Sequence, residues 1–175
     1  MNSILKNLFH KKLKKLISSK SFFKKYQAQT TDNPLGLEIK KARGCYIYDI
    51  NNKKYLDLVA GVSACSLGHS NKNVLKAIKK QLKKYLHVMV YGEFIQNETV
   101  LLCKLISENV PKPLQTTYLT NSGTEAIEGA LKLAKRVTGR TEIISAKNSY
   151  HGSTMGAMSV MGFEERISAY RPLVP

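Results

Sequence analysis

The sequence lacks the features that would place the protein in a membrane, in the secretory pathway or around a metal ion. No apolar run approaches the roughly 18 residues needed to cross a bilayer, so we expect no integral membrane association. The N-terminus has no small-residue cleavage site after a clean apolar stretch and does not resemble a secretory signal. The three cysteines, Cys45, Cys65 and Cys103, are far apart and form no Cys-x-x-Cys pair, and no histidine cluster accompanies them. We therefore predict no metal site and a reduced, cytoplasmic protein.

Acidic residues and arginine are scarce as well. The chain carries 28 basic and 12 acidic residues, which gives a formal charge of +16, and residues 1–25 hold eight lysines and no acid. Such a charge suggests a nucleic-acid partner, but only five of the basic residues are arginine, the side chain that binds phosphates and bases through two parallel hydrogen bonds. A lysine-rich composition explains the charge more simply, and we predict no nucleic-acid binding.

Hydropathy and turn residues divide the chain into three segments, 1–28, 29–88 and 89–175. Apolar residues at helical spacing among lysines predict a basic helix or tail in the first segment. Its apolar face either packs on the protein itself or lies on a membrane surface. In the second segment, Asn51 and Asn52 adopt positive φ at low cost and predict a tight hairpin between two β-prone runs, 45–49 and 54–58.

The third segment alternates between helical and extended patterns. Helices are predicted from about Glu98 to Asn109 and over residues 124–138, and short β-prone runs at 117–120 and 142–146 flank the second helix. This alternation predicts an α/β layer with a mainly parallel sheet and flanking helices. The first helix is expected to bury a stripe made of Val100, Leu101, Leu105 and Ile106.

Two loops before predicted helices carry polar side chains of different expected roles. His69 lies in a Gly-His-Ser-Asn loop, where a turn or packing role is expected. The turn that contains Ser122, Gly123 and Thr124 joins a predicted strand to a helix start, where free backbone amides and the helix dipole favour a bound anion. Gly123 lets the backbone approach a ligand, and the hydroxyls of Ser122 and Thr124 are able to donate to phosphate oxygens.

The same turn also has an explanation without any ligand. Ser122 and Glu125 match the Ser-x-x-Glu capping box, which stabilises a helix by about 1 kcal/mol. Neither a Gly-Lys-Ser/Thr phosphate loop nor a three-glycine dinucleotide pattern is present. The turn alone leaves the anion site and the helix cap as equal alternatives.

A second element, Tyr150-His151-Gly152, follows the next predicted strand. Loops at the carboxyl ends of neighbouring parallel strands converge on one crevice, so Tyr150 and the turn at 121–125 are expected to face the same pocket. An anion site beside an aromatic wall suits a flat, phosphorylated ring. Without the anion site, Tyr150 would be an ordinary surface tyrosine and His151 would bond a nearby carbonyl.

The sequence resembles the class III aminotransferases of pyridoxal-phosphate fold type I, the group that includes acetylornithine, ornithine and 4-aminobutyrate aminotransferases. The resemblance rests on residues 120–126, Glu128, residues 130–134 and 150–152, preceded in the same order by 44–49, 55–57, 68–69 and Gln81. It covers about residues 26–175. It implies that 29–88 is the N-terminal segment of the small domain and that 89–175 is the first part of the large cofactor-binding domain.

The resemblance also implies a cofactor and a set of residues that hold it. The cofactor is pyridoxal 5′-phosphate, and the partners are a small amino donor, an oxo-acid or aldehyde acceptor and a second copy of the chain in a homodimer. The backbone amides of Gly123 and Thr124, with the Ser122 side chain, would hold the cofactor phosphate. Tyr150 would stack on the pyridine ring, and His151 would lie beside it.

The resemblance places the catalytic groups later in the chain than Pro175. These groups are the lysine that forms a Schiff base with the cofactor and the aspartate that pairs with the pyridine nitrogen, so we assign no catalytic residue and expect the 175 residues to be inactive and poorly folded alone. Ser153 stands where the acetylornithine and ornithine branch has an arginine for a substrate carboxylate, which argues against that branch. The alternatives are an aminomutase or decarboxylating relative on the same scaffold, or a basic module that binds membranes or nucleic acid.

Overall fold

The computed structural model describes residues 19–89 and 92–174. The chain divides into two compact units, Met1–Met89 and Val90–Pro175. No helix in the described ranges is both long enough and apolar enough to span a membrane.

The first unit begins, in its described part, with helix α1, Ser19–Tyr26. The rings of Phe22 and Tyr26 lie one turn apart with their centroids 5.6 Å from each other, and the Lys20 backbone N–H donates to the Glu38 carboxylate at 3.0 Å. The Lys20–Glu38 hydrogen bond joins α1 to the segment before the first strand. The apolar face predicted at residues 4–17 of the basic segment lies outside the described residues.

A three-stranded antiparallel sheet in the order β1-β2-β3 follows. The strands are β1 Ile39–Arg43, β2 Tyr46–Asp49 and β3 Lys54–Leu56. The predicted hairpin is confirmed: Asn52 adopts a φ of 64°, and the Asp49 carboxylate accepts the N–H groups of Asn51 and Lys53, each at 2.9 Å. Burial raises the pKa of Asp49, but these bonds and one from the Tyr55 hydroxyl outweigh burial and lower it. Strand β1 was not predicted, because its mostly basic sequence shows no apolar alternation.

Hydrogen bonds of His69 hold the loop that follows the hairpin. Its Nε2 lies 2.6 Å from Asp57 Oδ2, and its backbone exchanges hydrogen bonds of 2.8 and 2.9 Å with Gly44. Hydrogen bonds lower the pKa of Asp57; the bond with His69 contributes most, and the bond from the Ala60 N–H comes second. The predicted turn or packing role of His69 is confirmed. Helix α2, Lys72–Leu82, comes next.

The second unit is built from helices in its described part. They are α3 Asn97–Glu108, α4 Gly123–Thr138, α5 Met155–Ser159, α6 Glu164–Ile167 and the 3₁₀ turn Ser168–Tyr170. The two long helices predicted from the sequence are confirmed to within one residue at each end, and α4 ends at Gly139 in the left-handed conformation with a φ of 68°. The buried apolar side chains belong to Ala157, Met158, Met161 and Ile167.

Two predictions for this half are wrong in the described structure. Segments 117–120 and 142–146 form no strands, so no parallel sheet is present among the described residues. An extended segment becomes a strand only when a neighbour accepts its hydrogen bonds, and neither segment has such a neighbour in the described ranges. Most of the stripe expected to be buried on α3 is also exposed: Val100, Leu101 and Leu105 are 53%, 63% and 58% accessible, and only Ile106 of the four is half-buried. No described helix or strand covers that face.

Candidate functional site

The start of α4 carries the turn predicted to bind an anion. Ser122 is the helix N-cap: its backbone is extended, and its Oγ accepts the Glu125 N–H at 3.3 Å. The Glu125 carboxylate in turn accepts the Asn121 N–H at 2.7 Å. The capping interpretation is therefore realised. A ligand is still accommodated, because Ser122 uses only its oxygen in this bond and keeps its hydroxyl hydrogen.

Gly123 leaves open space at the same helix start. A Cβ added to Gly123 would meet no atom within 4 Å. The backbone N–H groups of Gly123 and Thr124 belong to the first helical turn, where no carbonyl of the preceding turn can accept them. Two such donors and the positive end of the helix dipole favour an anion at this helix start.

Thr124 connects the helix start to the second predicted element. Its Oγ1 lies 2.8 Å from Thr154 Oγ1, and the Thr154 hydroxyl donates to Glu128 Oε1 at 2.6 Å. Glu128 Oε1 also accepts the Ala157 N–H at 3.1 Å. The hydrogen bond from Thr154 lowers the pKa of Glu128 most. Burial raises this pKa, and the N–H groups of Ala157 and Gly156 lower it further. Glu128 is thus a carboxylate at neutral pH, and a carboxylate only accepts.

The direction of these bonds changes the role predicted for the Thr124 hydroxyl. Because Thr154 gives its hydrogen to Glu128, the hydrogen between the two threonines comes from Thr124. The Thr124 hydroxyl was predicted as a phosphate donor, but in the structure it donates to Thr154. The backbone N–H of Thr124 is the donor that is left for an anion.

Gly152 marks the closest approach of the two predicted motifs. Its φ is 121°, a conformation that side chains rarely adopt, and a Cβ placed there would overlap the Thr124 Cβ and lie 3.0 Å from the Thr124 Cα. Only glycine allows this approach. The structure therefore brings the α4 start and the loop at 150–154 into direct contact within one unit.

The two aromatic residues of the loop lie in different surroundings. Tyr150 is 56% exposed, its hydroxyl lies 3.2 Å from Ser153 Oγ, and the Arg166 guanidinium carbon lies 5.7 Å from its ring centroid. His151 is half-buried and lines a mainly apolar groove along α4 with Ile127. A ring ligand at the α4 start would find Tyr150 accessible, whereas His151 is directed to the helix.

Sequence reasoning did not assign a role to Glu128 or Thr154. Thr154 is 26 residues from Glu128 and 30 from Thr124 in sequence, so no local pattern joins them. One signal was present: Glu128 lies one helical turn after Thr124 on the same face of α4. A carboxylate at that position lies close to any segment that packs against the start of α4.

Comparison with known proteins identifies a family. The model of the family described as aminotransferase class-III matches residues 26–174. Acetylornithine aminotransferase of Archaeoglobus fulgidus is 40% identical over 136 residues, which are 78% of this chain and 35% of that protein. This chain therefore spans about a third of the length of that curated relative.

Solved structures give the same result. Adenosylmethionine-8-amino-7-oxononanoate aminotransferase of Methanocaldococcus jannaschii superimposes with a TM-score of 0.79 at 33% identity, over 89% of this chain and 38% of that one. Ornithine aminotransferase of Toxoplasma gondii, described with partial occupancy of pyridoxal phosphate at its active site, superimposes with a TM-score of 0.78 at 27% identity, over 100% of this chain and 42% of that one. The chain belongs to the class III aminotransferase family, and its described residues adopt part of the α/β fold of the pyridoxal-phosphate-dependent transaminases.

Proposed function

We propose that the protein uses pyridoxal 5′-phosphate to transfer an amino group from an amino acid or amine to a 2-oxo acid or aldehyde. Family membership supports the reaction, and the T. gondii relative supports the cofactor. The observation that carries the proposal is the contact between the α4 start and the loop at 150–154, which joins an anion site to an exposed tyrosine. The 175 residues supply the phosphate and ring contacts of this cofactor.

The residues present fit the two ends of the cofactor. The N–H groups of Gly123 and Thr124 and the hydroxyl of Ser122 suit its phosphate, and hydrogen bonds to a charged group contribute about 1.5 to 3 kcal/mol each. The exposed ring of Tyr150 suits the pyridine, and an aromatic stack adds about 0.5 to 1.5 kcal/mol. His151 was predicted to lie beside the pyridine ring as an orienting neighbour, and this stays a prediction.

These residues bind and orient rather than transfer protons. The bound cofactor would supply an electron sink for the carbon that carries the donor nitrogen. Ser122 and the two first-turn amides fix the phosphate, and Tyr150 covers one face of the ring and keeps water from it. The lysine that the family resemblance requires falls later than Pro175. We therefore expect no transamination from the purified 175-residue chain, and measurable turnover would contradict this.

The position after Gly152 bears on the amino donor. Ser153 carries no positive charge, and its hydroxyl lies within hydrogen-bond distance of the Tyr150 hydroxyl at 3.2 Å. A carboxylate of the substrate would find no cation on this residue. This supports a donor unlike that of the ornithine branch, although the A. fulgidus relative is named for acetylornithine. The proposal leaves the donor open.

Organisation and location belong to the same proposal. The division of the chain at Met89 supports an assignment of residues 29–88 to a small domain and 89–175 to a large domain. Exposed apolar side chains on α3 and α4 support a homodimer, because they are available for burial by further protein. The three free cysteines support a reducing cytoplasm.

Binding of pyridoxamine 5′-phosphate to the 175-residue chain tests the proposal. This amine form carries the same ring and phosphate but no aldehyde, so it does not react with the many surface lysines. We expect it to bind at least about tenfold more tightly than pyridoxamine, because the latter loses the charge-assisted bonds at the α4 start. Equal affinity for the two compounds, measured by ligand fluorescence, would contradict the phosphate site.

Variants separate the two halves of the site. Gly123→Val should weaken binding of pyridoxamine 5′-phosphate, because the added side chain enters space that is empty in the structure and needs no rearrangement of the fold. Tyr150→Ala should weaken it up to about tenfold through loss of the stack. Tyr170→Ala is the matched control, since Tyr170 lies in the same unit and is 58% exposed against 56% for Tyr150. An equal effect of the two tyrosine variants would remove Tyr150 from the site.

A further inference from the structure

The Glu128 carboxylate lies where the loop at 150–154 meets α4. It accepts the Thr154 hydroxyl at 2.6 Å and the Ala157 N–H at 3.1 Å, and the Gly156 N–H points to it as well. A Cβ on Gly156 would overlap the carboxylate, so glycine at this position makes room for it. Glu128 therefore binds both the end of the loop and the first turn of α5.

The bonds form one directed chain from the anion site to the carboxylate. Thr124 donates to Thr154, and Thr154 donates to Glu128. Thr124 also contributes its backbone N–H to the candidate phosphate site, so one residue belongs to both the site and the chain. Movement of the Glu128 carboxylate would be transmitted to the loop that carries Tyr150.

We propose that Glu128 is a positioning residue that holds the Tyr150 loop at a fixed distance from the α4 start, and that this sets how well a pyridine ring stacks once its phosphate is bound. The identity of the ligand in this inference rests on the proposed function, whereas the constraint on the loop rests on the geometry alone. Lys132, one turn further along α4, is the charged group that also acts on Glu128, and its effect is the smallest of those that lower the pKa. The hydrogen bonds of Glu128 reach Thr154 in the loop and Ala157 in α5.

Hydrogen exchange of the 175-residue chain tests the loop without any ligand. Glu128→Gln should raise the exchange rates of the Gly156 and Ala157 amides about tenfold, because a neutral amide oxygen binds these donors less strongly than a carboxylate. Amides in the middle of α4 should exchange as in the unaltered chain. The matched control is Glu165→Gln, which removes the same charge from an exposed position in α6. If Glu128→Gln changes these rates by less than twofold, or if Glu165→Gln raises them as much, the inference is overturned.

Conservative and disruptive variants of Thr154 separate positioning from general stability. Thr154→Val keeps the shape but removes the hydroxyl, whereas Thr154→Ser keeps the hydroxyl. We expect Thr154→Val to lower the affinity for pyridoxamine 5′-phosphate about tenfold and to leave the affinity for inorganic phosphate within twofold of the unaltered chain. Thr154→Ser should restore the affinity for pyridoxamine 5′-phosphate. Equal weakening of both ligands would show a structural effect on the whole site and overturn the positioning role.

The two readouts keep this inference distinct from the proposed function. If the unaltered chain is folded, with slowly exchanging amides in α4, but binds neither pyridoxamine 5′-phosphate nor inorganic phosphate, the proposed function fails at these residues. The exchange rates at Gly156 and Ala157 still decide on Glu128. If binding is normal but Glu128→Gln leaves the exchange rates of the Gly156 and Ala157 amides unchanged, only the positioning role is lost.

Discussion

Two glycines of the second unit serve opposite purposes. A Cβ on Gly162 would lie 2.5 Å from the Asn148 backbone nitrogen and 2.8 Å from the Ala146 carbonyl oxygen, and the Gly162 N–H donates to the Ser149 carbonyl at 3.0 Å. The segment before Tyr150 therefore packs directly on residue 162. Gly123, by contrast, has empty space above its Cα, which is the space assigned to the cofactor phosphate.

A pair of alanine substitutions tests this difference. Gly162→Ala should lower the free energy of unfolding by about 1 to 3 kcal/mol, because backbone atoms rather than flexible side chains must move. Gly123→Ala should be neutral or should raise stability by up to about 1 kcal/mol, since alanine is favoured in a helix. Urea unfolding of the three proteins measures both effects. Equal destabilisation by the two substitutions would contradict the packing described for residue 162.

At the scale of elements, the two long helices of the second unit could be predicted from the sequence, whereas the two strands predicted for that unit are absent from its described residues. Helix α4 has its signals at its own ends: Ser122 caps the start, as the sequence predicts, and Gly139 in the left-handed conformation ends the helix. The segment 142–146 has the composition of a strand, but a strand needs a partner, and the segment pairs with no strand in the described residues. The same limit applies to the site: local motifs located Gly123 and Tyr150, whereas the role of Glu128 depends on contacts across 26 residues.

Two helix caps allow stability to be separated from binding. Ser122 caps α4, and the Asn71 side chain caps α2 by accepting the N–H groups of Asn73 and Val74. Ser122→Ala and Asn71→Ala should each lower stability by about 1 kcal/mol. Only Ser122→Ala should also lower the affinity for pyridoxamine 5′-phosphate, by about tenfold, because this substitution removes a hydrogen-bond donor to the phosphate. A similar loss of affinity in Asn71→Ala would show that binding follows stability alone.

At the scale of the whole molecule, each unit exposes large apolar side chains that are available for burial by further protein. Leu58 and Leu86 in the first unit and Ile144 in the second are 85%, 80% and 99% accessible. Ile144 lies in the segment that the sequence predicts as a parallel strand, and parallel strands are buried on both faces in α/β folds. The exposed apolar surface therefore agrees with a chain that spans 35% of its curated relative.

One measurement tests the central claim most directly: a titration of the isotopically labelled chain with pyridoxamine 5′-phosphate, followed by nuclear magnetic resonance. If the α4 start and the Tyr150 loop form one site, the amides of Gly123 and Thr124 and the ring of Tyr150 should shift together and saturate with the same dissociation constant. If the amides respond while the Tyr150 ring does not, or if the two saturate at different concentrations, the two motifs do not form a single cofactor site.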